Sequence, residues 1–180
     1  YERNNVAAAC DFLTLLDHCE AHTAETLQTL GNLSFVLGDY GTAAAAYQRA
    51  LTLAPDVAGL WVSLALTSRQ LKGFQTMQAA LKRALDLEPE NPDALKLLAD
   101  ELRDQSHYQE AAHIYEGLVR GDPSHIDNCL SLAKCLFELG DIATAASALR
   151  QVLQLDPAHQ SARENLAILQ TKIHAPSLGA

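Results

Sequence analysis

The sequence predicts an all-α fold in which antiparallel helix pairs stack into a solenoid. The first observation is a proline every 34 residues, at Pro55, Pro89, Pro123 and Pro157. The second is that each proline ends a similar stretch, such as residues 47–55 and 81–89. The third is the helical spacing of apolar residues within each period. Self-similarity at a fixed period of about 20 to 50 residues is typical of solenoids, because one helix pair buries its apolar face only against the next.

Each period is expected to hold two helices joined by a turn, an A helix followed by a B helix. The A half starts on an apolar residue, with Leu and then a small residue one turn later, as in Leu27, Leu30 and Gly31. The B half ends shortly before the proline, which cannot continue a helix. These patterns predict A helices near residues 25–37, 59–71, 93–105 and 127–139. They predict B helices near residues 41–53, 75–87, 109–121 and 143–155.

Two kinds of position are expected to decide how these helices pack. Small residues would let the A and B helices of one pair approach closely, and they recur at Gly31, Ala65, Ala99 and Ala133. Large residues such as Tyr47 and Tyr115 would fill the space between neighbouring pairs. Short polar side chains at the start of an A helix would accept hydrogen bonds from its free amides. Candidates for this capping role are Asp56, Asn91 or Asp93, Ser124 and Asp127.

The repeated residues resemble the tetratricopeptide repeat (TPR) family over roughly Ala24 to Asp156. The resemblance implies a right-handed α-solenoid of antiparallel helix pairs, the TPR superhelix. It also implies four repeat units, at about residues 24–56, 58–90, 92–124 and 126–157. The function expected of such a fold is that of a protein-interaction scaffold, which presents a curved surface to a peptide or protein.

The two ends of the sequence are expected to extend the array. Residues 1–22 carry Val6, Ala9, Leu13 and Leu16 at helical spacing, and a shift by 34 places these residues on a B helix. They are predicted to be the second helix of an upstream repeat, so we expect the chain to be a piece of a longer array. Residues 158–174 are predicted to form a capping helix, because the terminal unit of a solenoid otherwise exposes an apolar face. Residues 175–180 are expected to be a tail.

The overall charge argues against two classes of partner. The chain has 13 Lys plus Arg against 22 Asp plus Glu, which is a formal net charge of -9. Its field opposes nucleic acid and anionic lipid, and no apolar run is long enough to cross a bilayer. We therefore expect no nucleic acid and no direct membrane insertion. The chain has four cysteines, Cys10, Cys19, Cys129 and Cys135, and none of them forms a C-x-x-C pair. This pattern favours reduced, buried thiols and therefore a cytoplasmic location.

The sequence carries no signal for catalysis. It lacks the G-x-S-x-G elbow, the phosphate loop, the H-E-x-x-H motif and the glycine-rich dinucleotide turn. His18, Cys19 and His22 are spaced closely enough to bind a metal from one helix face, but no third or fourth ligand is evident. We interpret them as solvated residues. The other histidines are interpreted as turn or surface residues: His107, His113, His125 and His159. No enzyme activity, cofactor or metal is expected.

The family resemblance also implies a ligand site. In TPR proteins the A helices line a concave groove, and the matching positions here are Gln28, Asn32, Phe35, Val62, Leu66, Arg69, Lys96, Asp100, Arg103, Lys134 and Phe137. Four of these residues are basic although the chain is acidic, and Phe35, Leu66 and Phe137 add apolar contacts. We expect a peptide of acidic character, held by the cations and anchored on the apolar side chains. The alternative is an ordinary solvated helix face.

One well-known use of TPR grooves, clamping the C-terminal carboxylate of chaperone tails, does not match this sequence. The Lys, Asn and Arg positions of the clamp correspond here to Gln28 with Asn32, then Ser63, then Asp93 with Leu97. Only Asn32 fits the pattern. We therefore expect no chaperone-tail binding by that mechanism.

Three hypotheses for function follow. The first is a scaffold that binds a peptide or protein segment in the groove. The second is a recruiting TPR arm of a larger enzyme, such as a glycosyl- or sulfotransferase, whose catalytic domain lies outside this chain. The third is self-association through the open N-terminal helix. The full-length reading frame would separate the first two, and light scattering would identify the third.

Overall fold

The structure is a computed structural model that describes residues 23–174, with side chains described up to residue 171. The predicted upstream helix at residues 1–22 and the predicted tail at residues 175–180 lie outside the described residues. The same holds for Cys10 and for His18, Cys19 and His22. The chain divides into two compact units, Tyr1–Ala94 and Leu95–Ala180, here called unit 1 and unit 2.

Nine α-helices and no β-strand occur within the described residues. They are α1 (Ala24–Val36), α2 (Tyr40–Leu53), α3 (Ala58–Gln70), α4 (Phe74–Leu87), α5 (Pro92–Asp104), α6 (Tyr108–Gly121), α7 (Ile126–Glu138), α8 (Ile142–Leu155) and α9 (Gln160–His174). The A helices are α1, α3, α5 and α7, and the B helices are α2, α4, α6 and α8. All eight are confirmed, with ends within one residue of the predicted positions. None of the helices between residues 23 and 174 has the length and apolar character needed to cross a membrane.

In unit 1 the helices of each pair pack together, α1 with α2 and α3 with α4, and α2 also packs against α3. The packing is close at Gly31, where an added Cβ would lie 2.5 Å from Cε1 of Tyr47. Any larger residue would therefore displace the Tyr47 ring, which is itself only 2% exposed. Ala65, at the equivalent position of the next pair, is fully buried. The predicted close approach at the small residues is confirmed in this unit, and Tyr47, which was predicted to lie between neighbouring pairs, packs on Gly31 of its own pair.

In unit 2 α7 packs against α6 and α8, and α8 packs against α9. One apolar core runs through these helices and includes Tyr115, Cys129, Cys135 and Leu169. Cys129 and Cys135 are free and fully buried, as interpreted from the sequence. Burial raises the pKa of both thiols, so the reactive thiolate is disfavoured. These two cysteines therefore act as small apolar residues.

Each turn from an A helix to a B helix contains one residue with a left-handed backbone. The φ angle is 79° at Gly38, 57° at Lys72, 65° at Ser106 and 81° at Gly140. Glycine adopts such angles at little cost, whereas in other residues Cβ is forced close to a carbonyl oxygen. The same turn is thus made without strain at Gly38 and Gly140 and with strain at Lys72 and Ser106.

The starts of the A helices and of α9 share one repeating cap position, occupied by Thr23, Val57, Asn91, His125 and His159. Four of the five side chains accept a hydrogen bond from the amide three residues later, over 3.2 Å at Thr23, 3.0 Å at Asn91, 3.4 Å at His125 and 3.2 Å at His159. Val57 has no acceptor, so α3 begins without a side-chain cap. The acceptor atom is Nδ1 in the two histidines and Oδ1 in Asn91.

The predicted cap at Asn91 is confirmed, and the other three sites were wrong. Asp56 and Ser124 each lie one residue before the cap position, and Asp127 lies within the first turn of α7. Ser124 instead donates its amide and hydroxyl to the carboxylate of Asp122, at 3.0 and 2.6 Å. At α7 the error arises because a histidine can cap a helix through Nδ1, although Asp, Asn, Ser and Thr are the residues usually sought there. At α3 the cap position holds Val57, which has no acceptor.

Replacing the strained turn residues by glycine should stabilise the protein. We expect Lys72→Gly and Ser106→Gly each to raise the free energy of unfolding by about 0.5 to 1 kcal/mol, since relief of the left-handed strain exceeds the entropy of glycine. Gly38→Ala and Gly140→Ala should lower it by about 1 kcal/mol. An added Cβ meets no atom within 4 Å at either glycine, so the loss would report the backbone alone. Urea unfolding measures all four, and glycine variants no more stable than the parent would contradict the strain.

Adding the missing cap to α3 should also stabilise the protein. Val57 is 45% exposed, so its replacement loses little burial, and Val57→Asn should raise the free energy of unfolding by about 1 kcal/mol. Val57→Ala is the control, since it removes the valine without adding an acceptor. Asn91→Ala should cost a similar amount in the opposite direction. Equal thermal midpoints for the Val57→Asn and Val57→Ala variants would show that the amide at this position needs no cap.

Candidate functional site

The predicted groove positions, here called the A-helix face, differ in exposure along unit 1. Val62 is buried, at 5% exposed, and contributes to the core rather than to a surface. Leu66, one turn further along α3, is 38% exposed. Of the remaining positions in this unit, Asn32 is exposed. Three others are half-buried, namely Gln28, Phe35 and Arg69. The A-helix face of unit 1 therefore offers one clearly exposed apolar side chain, Leu66.

Two of these side chains in unit 1 are held by residues of α2. The Tyr47 hydroxyl donates to Oδ1 of Asn32 over 2.7 Å. Burial raises the pKa of Tyr47, so its hydroxyl remains a donor. The ring of Phe35 meets that of Tyr40 edge to face, with centroids 5.3 Å apart. These contacts orient the exposed edge of α1 before any ligand arrives.

In unit 2 the A-helix face contains a buried ionic network centred on Asp100. Its carboxylate accepts hydrogen bonds from the Tyr115 hydroxyl at 2.5 Å, from Nζ of Lys96 at 3.0 Å and from Nη1 of Arg103 at 2.9 Å. Nη1 of Arg103 also lies 3.3 Å from Oγ of Ser131. Nη2 of Arg103 donates to Asp104 over 3.0 Å. The network joins α5 to α6 and α7.

This network changes the electrostatic picture that the sequence suggested. Lys96 and Arg103 are two of the four basic residues expected to attract an acidic ligand, yet the carboxylates of Asp100 and Asp104 balance their charges. The Arg103 side chain is only 17% exposed and that of Lys96 is 34% exposed. Neither residue presents a full positive charge to a ligand. Lys134, on α7, is exposed and forms no ion pair with any described residue.

The protonation states of the network follow from its geometry. Burial by itself would raise the pKa of Asp100, but hydrogen bonds from Tyr115 and Lys96 and the charges of Lys96 and Arg103 outweigh it, so the pKa lies below its usual value. Burial and the neighbouring carboxylate raise the pKa of Tyr115 far above its usual value. Asp100 is therefore charged and Tyr115 is a neutral donor across the physiological range.

The polar pair recurs once in each unit, 68 residues apart. Asn32 with Tyr47 in unit 1 corresponds to Asp100 with Tyr115 in unit 2. The intervening repeat has Leu66 and Leu81 at the same two positions, and the last repeat has Lys134 and Leu149. A buried tyrosine hydroxyl needs a partner, and in both repeats that have the tyrosine the A helix supplies an Asn or Asp. Where the B helix has leucine, the A-helix residue has no hydroxyl to bond, and Leu66 and Lys134 at this position are exposed.

A cleft opens in unit 2 between α7 and α9, above α8. It has a volume of about 450 Å³ and is lined by Leu130, Ser131, Ala133, Lys134, Phe137, Leu149, Ser161, Asn165, Ile168 and Leu169. We call it the C-terminal cleft. It brings together the predicted site residues Lys134 and Phe137, and it adds Leu130 and Ile168, which the sequence reasoning missed. A shift of 34 residues from Lys96 and from Lys134 leads to these two positions and could have found them.

Comparisons with known proteins agree with this architecture. Residues 24–57 match the family model described as tetratricopeptide repeat. Residues 74–152 and 104–174, together more than half of the chain, match the model described as anaphase-promoting complex, cyclosome, subunit 3. A relative in Mycosarcoma maydis, small glutamine-rich tetratricopeptide repeat-containing protein 2, is 30% identical over 102 residues, which are 57% of this chain and 29% of the relative. The chain belongs to the tetratricopeptide repeat family.

Solved structures with the same fold share little sequence with the chain. A MamA double mutant superimposes with a TM-score of 0.76 at 14% identity, covering 84% of this chain and 85% of that one. YrrB, described as a TPR protein with an unusual peptide-binding site, gives a TM-score of 0.74 at 19% identity, covering 92% of this chain and 85% of YrrB. These likenesses establish the all-α TPR solenoid. At such low identity they say nothing about which ligand this chain binds.

Removing the central carboxylate should destabilise unit 2 in a pH-dependent way. Because the pKa of Asp100 is lower in the folded state than the value near 3.9 expected when unfolded, its stabilisation is present above about pH 4 and is lost as the pH falls through the folded value. We expect Asp100→Asn to cost about 1 to 3 kcal/mol at pH 7, since it removes the charge that Lys96 and Arg103 share and leaves Arg103 with Asp104 alone. Urea unfolding at several pH values should show the difference from the parent shrinking towards pH 3.

The control for this measurement is Glu116→Gln, an exposed acid on α6 of the same unit. It changes the net charge equally without touching the network, so its effect should be small at every pH. A cost for Asp100→Asn that stays constant from pH 7 to pH 3 would mean that packing, and not the charge, accounts for the loss.

Proposed function

We propose that this chain is a protein-interaction scaffold that binds a segment of another protein against its A-helix face. The observation that carries the proposal is the C-terminal cleft, in which the cation Lys134 stands beside the apolar side chains of Phe137 and Ile168. Large apolar side chains grouped around an open cleft are typical of recognition sites, since soluble proteins rarely leave such groups uncovered without use.

Two fixed contacts on the A-helix face support the proposal. Tyr47 and Tyr115 each tie an A helix to a B helix through a hydrogen bond, so Asn32 and Asp100 on this face are held in place before binding. A pre-organised surface loses less conformational entropy when a ligand associates. The TPR family is also consistent with it, because YrrB, which has a similar fold, is described as having a peptide-binding site.

The preference of the A-helix face for an acidic ligand rests on fewer cations than the sequence suggested. Lys96 and Arg103 are balanced by Asp100 and Asp104, and Arg69 is half-buried, so Lys134 is the exposed cation of this face, in a chain with a net charge of -9. One exposed lysine favours a local acidic group over a long acidic tract. No observation in residues 23–174 favours a recruiting arm of a larger enzyme, so the scaffold is the function we propose.

A display selection tests this function directly. A random dodecapeptide library is selected against the chain, and enriched peptides are synthesised and measured by calorimetry. We expect micromolar binding. Peptides bound to unit 1 should bind about tenfold more weakly to Leu66→Glu, which replaces an apolar contact by a charge, and peptides bound to unit 2 about tenfold more weakly to Lys134→Glu, which reverses the charge. The matched control is Lys82→Glu, the same change of charge on an exposed position of the B helix α4.

Two results would refute the proposal. One is a selection that enriches no peptide. The other is a set of peptides that bind the parent, Leu66→Glu, Lys134→Glu and Lys82→Glu with equal affinity, since the ligand would then lie away from the A-helix face.

A further inference from the structure

The C-terminal cleft differs from the rest of the A-helix face in both polarity and charge. Five of its ten lining residues are large apolar side chains, namely Leu130, Phe137, Leu149, Ile168 and Leu169. Its other members are small or polar, and one of them, Lys134, is charged. We infer that the cleft takes an aliphatic or aromatic side chain of a partner segment in which the next residue is Asp or Glu. The inference rests on the proposed function and specifies the ligand at this part of the site.

The apolar half of the inference comes from the walls of the cleft. Ile168 is 52% exposed and forms one edge, while Leu169 beside it is 4% exposed and belongs to the core. A side chain entering between α7 and α9 would cover Ile168 and lie against Phe137 and Leu130. The volume of about 450 Å³ holds one large side chain together with part of the backbone that carries it. Apolar surface buried in this way supplies the main driving force for association.

The acidic half comes from the single charge on the rim. Lys134 is exposed, and its ammonium forms no ion pair with a described residue. The polar lining residues Ser131, Ser161 and Asn165 are neutral, so no carboxylate in the lining competes for the lysine. A carboxylate next to the apolar side chain of the ligand would lie near Lys134, which is the charged residue of the lining.

An acidic side chain suits the cleft better than a terminal carboxylate. Clamping a chain terminus uses several donors that converge on both oxygens, whereas this rim has one lysine with a compact point charge. We therefore assign the carboxylate to an Asp or Glu within the partner segment.

The test uses four capped probes and the methyl resonances of the protein. Acetyl-Leu-Glu-amide is titrated into the full chain and compared with the near-isosteric acetyl-Leu-Gln-amide, with acetyl-Gly-Glu-amide and with acetyl-leucine. We expect saturable shifts at the methyl groups of Leu130, Ile168 and Leu169, with a dissociation constant on the order of 1 mM. The Glu probe should bind about 2- to 5-fold more tightly than the Gln probe, as for an exposed ion pair. The Gly probe should not saturate.

Two variants separate the two parts of the site. Lys134→Met keeps the apolar stem and removes the charge, so it should abolish the preference for Glu over Gln while leaving Gln-probe binding unchanged. Ile168→Gln removes one wall and should weaken both Leu probes equally. Both positions are exposed, so the folded state should persist, and circular dichroism checks it. Lys82→Met on α4 is the matched control and should change nothing.

Each other outcome overturns the inference in an identifiable way. Equal binding of the Glu and Gln probes would show that the cleft has no preference for an acidic residue. Tighter binding of acetyl-leucine than of the Glu probe would show that the cleft binds the carboxylate of a chain terminus. Methyl shifts on diluting the protein without a probe would mean that a second copy occupies the cleft. If display peptides bind the A-helix face but tolerate both Lys134→Met and Ile168→Gln, the cleft assignment is wrong while the proposed function stands.

Discussion

The close approach of each A helix to its B helix is the constraint on which the rest of the structure depends. At Gly31 the two helices are so near that the Tyr47 ring occupies the space of a missing Cβ. The same position holds fully buried alanines at Ala65 and Ala99. A small residue on one helix and a large one on the other fill the interface without a void, which is the condition for a stable core. The 34-residue period keeps this pair of positions in register along the chain.

That packing decides where polar groups can go. A tyrosine pressed against the A helix carries a hydroxyl into the protein interior, where an unmade hydrogen bond costs about 1 to 3 kcal/mol. Asn32 and Asp100 accept that bond in units 1 and 2. In unit 2 the acceptor is charged, and it in turn recruits Lys96 and Arg103. The buried network is thus a consequence of the tyrosine on the B helix. Lys96 and Arg103, which the sequence suggested were available to an acidic ligand, are paired with Asp100 instead.

Where the B helix has leucine, the same position of the A helix has no tyrosine hydroxyl to bond. Leu66 and Lys134 occupy it in α3 and α7, Ile168 occupies the equivalent position of α9, and all three are exposed. In unit 2 two of them meet across the C-terminal cleft. One shared position thus holds a hydrogen-bond acceptor in the repeats that have tyrosine on the B helix and other side chains elsewhere.

The sequence by itself determined the helices, their bounds and the family, because a repeating apolar pattern is local information that each helix pair carries in full. It also identified Gly31 as a position of close helix approach and Asn91 as a cap, whereas the contact of Gly31 with Tyr47 came from the structure. Only the tertiary structure decided that Arg103 turns to Asp100 and Ser131, that histidines cap α7 and α9, and that Leu130 and Ile168 complete a cleft. Such outcomes depend on which side chains from different helices come within hydrogen-bonding or van der Waals distance, and spacing along the chain does not contain those distances.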